Sequence, residues 1–171
     1  MANMELSSPT APAKLVSRVH MRVSICHASV SQVALAYGIV EEYYAAARVV
    51  VREDREEFAK QYFADGAGVW LAEGSEGMMG CVALRRLEGM AKAGEIKRLY
   101  VRPAYRGQGV SDLLLEALER YARNCGYLRL YLDTAATMKA AARFYERKGF
   151  APCERYNDNP QAAIFMKKTI R

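Results

Sequence analysis

The stretch Glu95-Ile96-Lys97-Arg98-Leu99-Tyr100-Val101-Arg102-Pro103-Ala104-Tyr105-Arg106-Gly107-Gln108-Gly109-Val110-Ser111 decides how this 171-residue chain is read. It runs from an apolar strand through a glycine-punctuated turn into a helix. The helix opens at about Ser111 and carries Leu114, Leu118, Tyr121 and Cys125 on one face. Such a turn leaves the first backbone N–H groups of the helix without internal partners, with the positive end of the helix dipole behind them. That arrangement binds anions, and phosphate is the usual one. A Walker loop is excluded, because Val110-Ser111 stands where Lys and then Ser or Thr are required. A dinucleotide fingerprint is weak, because Asp112 stands where the third glycine belongs.

The strand before the turn is irregular. Its apolar residues Ile96, Leu99 and Val101 are spaced by three and then two, where an undisturbed strand keeps a period of two. One extra residue near Lys97-Arg98, a β-bulge, restores the register. A sheet covered on both faces tolerates the same spacing without one.

Working outward, Tyr127 to Asp133 alternates as a strand after Gly126, so strand, helix and strand form a right-handed parallel crossover. Thr134 to Thr137 is a turn, and Met138, Ala141 and Tyr145 share the face of a helix ending at Gly149. Phe150 to Glu154 and Ala162 to Lys168 read as the last strands, joined by the turn Tyr156-Asn157-Asp158-Asn159-Pro160. Upstream, Val19 to Ala28 reads as a first strand. Ser29 or Ser31 caps a helix with Val33, Tyr37, Val40 and Tyr44 on its apolar face, and a second helix spans Asp54 to Phe63. Val69 to Glu73 and Met79 to Leu84 flank Gly74-Ser75-Glu76-Gly77 as a hairpin.

The motif Arg106-Gly107-Gln108-Gly109-Val110-Ser111, behind its Val101-Arg102-Pro103 corner, resembles the acetyl-CoA motif of the GNAT superfamily of N-acyltransferases. Ser111 replaces the usual small apolar residue, and its hydroxyl can add a donor or cap the helix. A second feature in the right order, Ala141-x-x-Phe144-Tyr145-Glu146-Arg147-Lys148-Gly149-Phe150, is similar to the family's late helix. The resemblance implies an α/β fold: a mixed, mostly antiparallel seven-stranded sheet, about four helices, and a V between strands 4 and 5. It implies acetyl-CoA as co-substrate, held by Leu99, Tyr100 and Val101 on the strand, by Arg106, Gly107, Gln108, Gly109, Val110 and Ser111 in the turn, and by Ala141 and Phe144. It further implies Tyr145 as the acid that protonates the departing thiolate and Glu95 as a base acting through water, with the Leu99 N–H polarising the thioester carbonyl. Many members carry Asn where Met138 stands, so that contact is not transferred here.

Composition is permissive. With 51% hydrophobic residues the chain is long enough for one core. Residues 1–14 are expected to be a disordered tail and 19–171 the transferase domain; Met1 to Lys14 has no apolar run suited to a membrane. The net charge of +6 is carried by scattered Lys and Arg with no basic run, which argues against nucleic acid. Cys26, Cys81, Cys125 and Cys153 lie far apart with only His20 and His27 beside them, so no metal site is expected. All four are read as buried thiols of a reducing cytoplasm. The acceptor is a small-molecule or peptide amine, with Tyr43, Tyr44, Tyr62 and Trp70 as candidate pocket aromatics and Tyr156 and Asp158 as candidate loop contacts. A longer acyl donor, a non-catalytic acyl-CoA sensor and assembly as a homodimer remain open at this level.

Overall fold

The computed structural model describes residues 22–51 and 53–171. The tail expected over 1–14 and the start of the first strand at Val19 lie outside the described residues.

The strands are β1 (Ser24–His27), β2 (Gly68–Gly74), β3 (Gly77–Arg86), β4 (Ala93–Val101), β5 (Arg129–Thr134), β6 (Ala151–Pro152) and β7 (Ile164–Thr169). The helices are α1 (Val33–Ala47), α2 (Arg55–Tyr62), α3 (Val110–Asn124) and α4 (Lys139–Arg147). The seven strands form one sheet in the order β1-β2-β3-β4-β5-β7-β6. Among the described residues only β4 and β5 pair in parallel, as the crossover through α3 requires; the other pairings are antiparallel.

Each face of the sheet has its own core. Ile96, Leu99 and Val101 of β4 pack with Val110, Leu114 and Leu118 of α3 and with Tyr145 of α4. Val69, Leu71, Cys81, Ala83 and Tyr100 pack on the other face against Ile39, Val40 and Tyr44 of α1 and Phe58 and Tyr62 of α2. The bulge is therefore real. Ala83 pairs with Lys97 and Cys81 with Tyr100, so Arg98 and Leu99 together oppose Val82. Arg98 takes a φ of 57°, a left-handed conformation costly for a side-chain-bearing residue.

Two local expectations change. The buried face of α1 is Ala36, Ile39, Val40 and Tyr44, while Val33 and Tyr37 are only half-buried. The helix is apolar nearly all round, so periodicity could not orient it. Ser111 does not cap α3: the helix begins one residue earlier, at Val110, and left-handed Gly109 holds the cap position. Of the cysteines only Cys81 is buried; Cys26 and Cys153 are half-buried, and Cys125 is exposed because α3 ends there.

Candidate active site

Two structures converge on one end of the sheet. The first is the turn into α3. Gly107 and Gly109 take φ of 73° and 82°, and a Cβ on either would meet nothing within 4 Å. Glycine is therefore needed for backbone conformation, and the space above the turn is open. Two side chains brace the turn from below: Arg106 Nε donates to the Val101 carbonyl at 3.0 Å and Gln108 Nε2 to the Ala104 carbonyl at 2.9 Å. The backbone N–H groups from Gly107 to Asp112 have no partner among the described residues; the first amide of the helix to find one is Leu113, bonded to the Gly109 carbonyl. This row of donors at a helix N-terminus fits a diphosphate. Asp112 faces the first turn but is tied to Lys148, which offsets its charge there.

The second structure is the splay of β4 from β5. The two strands pair only from Ala93–Arg129 to Glu95–Tyr131, although β4 continues to Val101 and β5 to Thr134. Beyond Glu95 the β5-facing edge of β4 has no strand partner among the described residues, and a cavity of about 420 Å³ occupies the gap. Leu99, Ala141 and Tyr145 meet on its wall. Tyr100 does not reach it, because the bulge turns its side chain into the core under α1 and α2. Phe144 packs edge-on against Tyr145 with the Lys148 ammonium over its ring, outside the cavity. The Val101 carbonyl already receives Arg106 Nε, so one of its two acceptor positions is taken.

Tyr145 is 5% exposed, its ring wedged between Phe144 and Phe150 at centroid distances of 5.3 and 5.2 Å. Its hydroxyl has no hydrogen-bond partner among the described residues. Burial pushes the phenol well above its ordinary pKa, with nearby Tyr43 adding to the effect, so it remains a neutral O–H donor at every working pH.

Glu95 stands at the last paired position before the strands part, but its side chain is 0% exposed and lies beneath the cavity rather than in it. Both oxygens are engaged. Oε1 meets the Lys97 ammonium at 3.0 Å and accepts from the Tyr156 hydroxyl and Asn157 Nδ2, each at 3.0 Å; Oε2 accepts from Arg85 Nε at 2.7 Å. Lys97 also donates to Asp133 Oδ1 at 2.8 Å, and Asp133 Oδ2 accepts from Asn157 and Asn159. The late turn is thus folded back onto the floor of the splay by its own asparagines. Tyr156 is consumed in this network, whereas Asp158 is exposed and lines the cavity.

Burial raises the pKa of Asp133, but the Lys97 ammonium and the hydrogen bonds from Lys97, Asn157 and Asn159 outweigh it and hold the carboxyl below its ordinary 3.8. The folded state therefore binds this proton less readily than the unfolded one. Its stabilising contribution is complete above about pH 3.8 and is lost as pH falls through the depressed value. Urea unfolding between pH 5 and pH 2.5 should show falling stability in wild type and a flatter profile in Asp133→Asn.

Some of the site was not anticipated. Tyr43 and Tyr44 do line the cavity, but Tyr62 and Trp70 are core residues. Glu53, just before α2, reaches the cavity together with bulge residue Arg98. Gln161 lies across the opening, its side-chain amide bonded both ways to the Val50 backbone, at 2.8 and 3.3 Å. Among the described residues no group of three potential ligands is arranged to hold a metal, and no helix is long and apolar enough to cross a membrane.

The profile of the acetyltransferase (GNAT) family matches residues 36–150. An uncharacterised N-acetyltransferase of Escherichia coli, YjgM, is 31% identical over 123 residues, 71% of each chain. An uncharacterised N-acetyltransferase of Schizosaccharomyces pombe is 40% identical over 82 residues, covering 48% of this chain and about half (50%) of that protein's length. Among solved structures, a GNAT-family acetyltransferase of Staphylococcus aureus superposes with a TM-score of 0.76 at 18% identity, over 88% of this chain and 100% of that one. The yncA protein of Salmonella typhimurium, a structure containing acetyl-CoA, superposes with a TM-score of 0.68 at 22% identity, over 87% of this chain and 94% of that one. With the profile covering β2 to β5, the bulge, the glycine turn and α4, the chain belongs to the acetyltransferase (GNAT) family.

Proposed function

We propose that this protein transfers the acetyl group of acetyl-CoA to a primary amine by direct attack on the thioester. The observation that carries the reading is the continuity of two features: the unpartnered amides from Gly107 to Asp112, and the open edge of β4 that leads from them to the Tyr145 hydroxyl. The acetyl-CoA present in the Salmonella relative's structure supports the same ligand. The co-substrate supplies the activated acyl carbon. Residues Gly107 to Ser111 hold its diphosphate, and the main chain of Leu99 and Val101 aligns its arm.

The acceptor must lose a proton. An amine of pKa ~10 is about one part in a thousand neutral at pH 7, a cost of about 4 kcal/mol. The cavity opens to solvent, which takes that proton, and the rate should rise with pH toward the amine's own pKa. As the C–N bond forms, the Leu99 N–H meets the negative charge growing on the acyl oxygen. As the C–S bond breaks, Tyr145 gives its proton to the sulfur. Glu95, with both oxygens engaged below the floor, acts as a positioning residue that fixes Lys97 and the late turn.

Thiol release from acetyl-CoA across a panel of amines tests the reading; no release with any amine sinks it. Acetyl-CoA at one hundred times its Kd should add about 2.7 kcal/mol of stability, a rise of about 5–10 °C in the thermal midpoint. Gly109→Val should abolish that rise. A branched side chain at φ 82° is strained by about 1–3 kcal/mol and crowds the row of donors.

A further inference from the structure

Buried charged groups in and under the cavity are matched to one another, but Glu53 is matched through one oxygen only. Three donors converge on one of its oxygens: Arg98 Nε and Nη2 reach Oε1 at 3.2 and 2.7 Å, and the Tyr44 hydroxyl donates to the same atom. Oε2 has no partner among the described residues, although the side chain is only 5% exposed and lines the cavity. What exposure the side chain keeps is at this oxygen, which opens on the cavity and is free to accept from a ligand. Glu95 and Asp133 have both oxygens engaged by protein donors; Glu53 keeps an acceptor in reserve.

The sign of the missing partner follows from the surrounding charges. Among the described residues Arg85, Lys97 and Arg98 are positive and Glu53, Glu95, Asp133 and Asp158 are negative, which leaves one negative charge over, that of Asp158 at the cavity wall. Each cation is already paired: Arg85 and Lys97 with Glu95 and Asp133, Arg98 with Glu53. A ligand carboxylate would find no uncommitted cation among the described residues of the cavity. A single ammonium balances the set. Beside Glu53, Val49 and the exposed Val50 give the cavity an apolar lip.

We infer that Glu53 Oε2 anchors the acceptor's amino group, and that the acceptors are monocationic primary amines with no carboxylate next to the amine and an apolar neighbouring portion. The anchor lies beside the reacting centre, because Arg98, which fixes its other oxygen, directly precedes Leu99. This inference rests on the acetyl-transfer reading for the reaction but not for the binding site.

The test compares 3-methylbutylamine, leucinamide and leucine as acceptors, with thiol release as readout. Leucine should be at least about 30-fold poorer in kcat/KM than both of the others, since its carboxylate lands among committed cations beside unpaired negative charge. Glu53→Gln keeps an oxygen for Arg98 and Tyr44 but turns an N–H toward the amine. The kcat/KM for 3-methylbutylamine should fall about 10- to 100-fold, mostly through its KM, while the KM for acetyl-CoA stays within twofold.

Binding is read separately. With CoA bound, saturating 3-methylbutylamine should raise the thermal midpoint of wild type and not of Glu53→Gln. Equal use of leucine, unchanged kcat/KM in a folded Glu53→Gln, or no amine-dependent shift in wild type each overturns the anchor. An amine-dependent shift without thiol release from any acceptor overturns the transfer reading and leaves the anchor standing. If Glu53→Gln fails to fold, the wild-type comparison of leucine with leucinamide decides.

Discussion

Tyr145→Phe is expected to lower kcat by about 10²- to 10³-fold, or about 3–4 kcal/mol of barrier, while leaving the KM for acetyl-CoA and the thermal midpoint close to wild type. The ring is the structural part of this residue: it sits against Phe144 and Phe150, and phenylalanine preserves both contacts. The hydroxyl makes no hydrogen bond among the described residues, so its removal leaves nothing unsatisfied. The ring is buried while the hydroxyl, without a protein partner, opens on the gap between two parted strands, where a donor to the departing thiolate is needed under the proposed reaction. Because burial raises its pKa, the phenol holds its proton throughout the accessible range, and wild-type activity should show no alkaline fall up to about pH 9.5 from this group. Steady-state rates with both substrates saturating, from pH 6 to 9.5, check both statements. A Tyr145→Phe enzyme within threefold of wild type would remove the acid from the mechanism.

Glu95→Ala should be the most destabilising change in the site, costing about 3–5 kcal/mol because it strands buried cationic partners. For a chain of this length that is a fall of about 6–20 °C in the thermal midpoint. Lys97 is nearly buried, and it would retain Asp133 but lose half of its compensation. Arg85 would keep only Gln61, and Tyr156 and Asn157 would each lose an acceptor. Glu95→Gln should fall between wild type and Ala, since it keeps an oxygen for some of the donors but sets its own N–H groups against the cations. Thermal and urea unfolding measure the series. A loss below about 1 kcal/mol in Glu95→Ala would show that solvent, rather than this carboxylate, balances the floor.

The glycine turn was legible in the sequence because its chemistry is local: two glycines at positive φ and a helix start are written in adjacent residues. The bulge was legible for a different reason. The spacing of Ile96, Leu99 and Val101 is itself the record of one extra residue, and all three join the same core. Where the physics is long-range, the sequence was mute. Glu53 precedes a helix already capped by Asp54 and looks like a surface carboxylate; its partner Arg98 lies 45 residues away. The turn from Tyr156 to Pro160 announced its shape but not that Asn157 and Asn159 would reach back to Asp133. Glu95 was correctly placed along its strand. Its burial depends on Arg85, Tyr156 and Asn157, which come from β3 and the late turn.

The inserted residue at Arg98 ties the two halves of the cavity to a single parity. On one side it points a guanidinium at Glu53; on the other it sets Leu99, rather than its predecessor, in line with Ile96 and Val101. Deleting one residue there would return Ile96, Leu99 and Val101 to plain alternation on one face, but it would remove the bulge and the guanidinium it aims at Glu53, so the shape of β4 and the setting of Glu53 would be lost together. Redesign of acceptor preference must therefore leave β4 untouched and work through the segments around Val50 and Gln161, which meet the cavity from outside the sheet and carry no register.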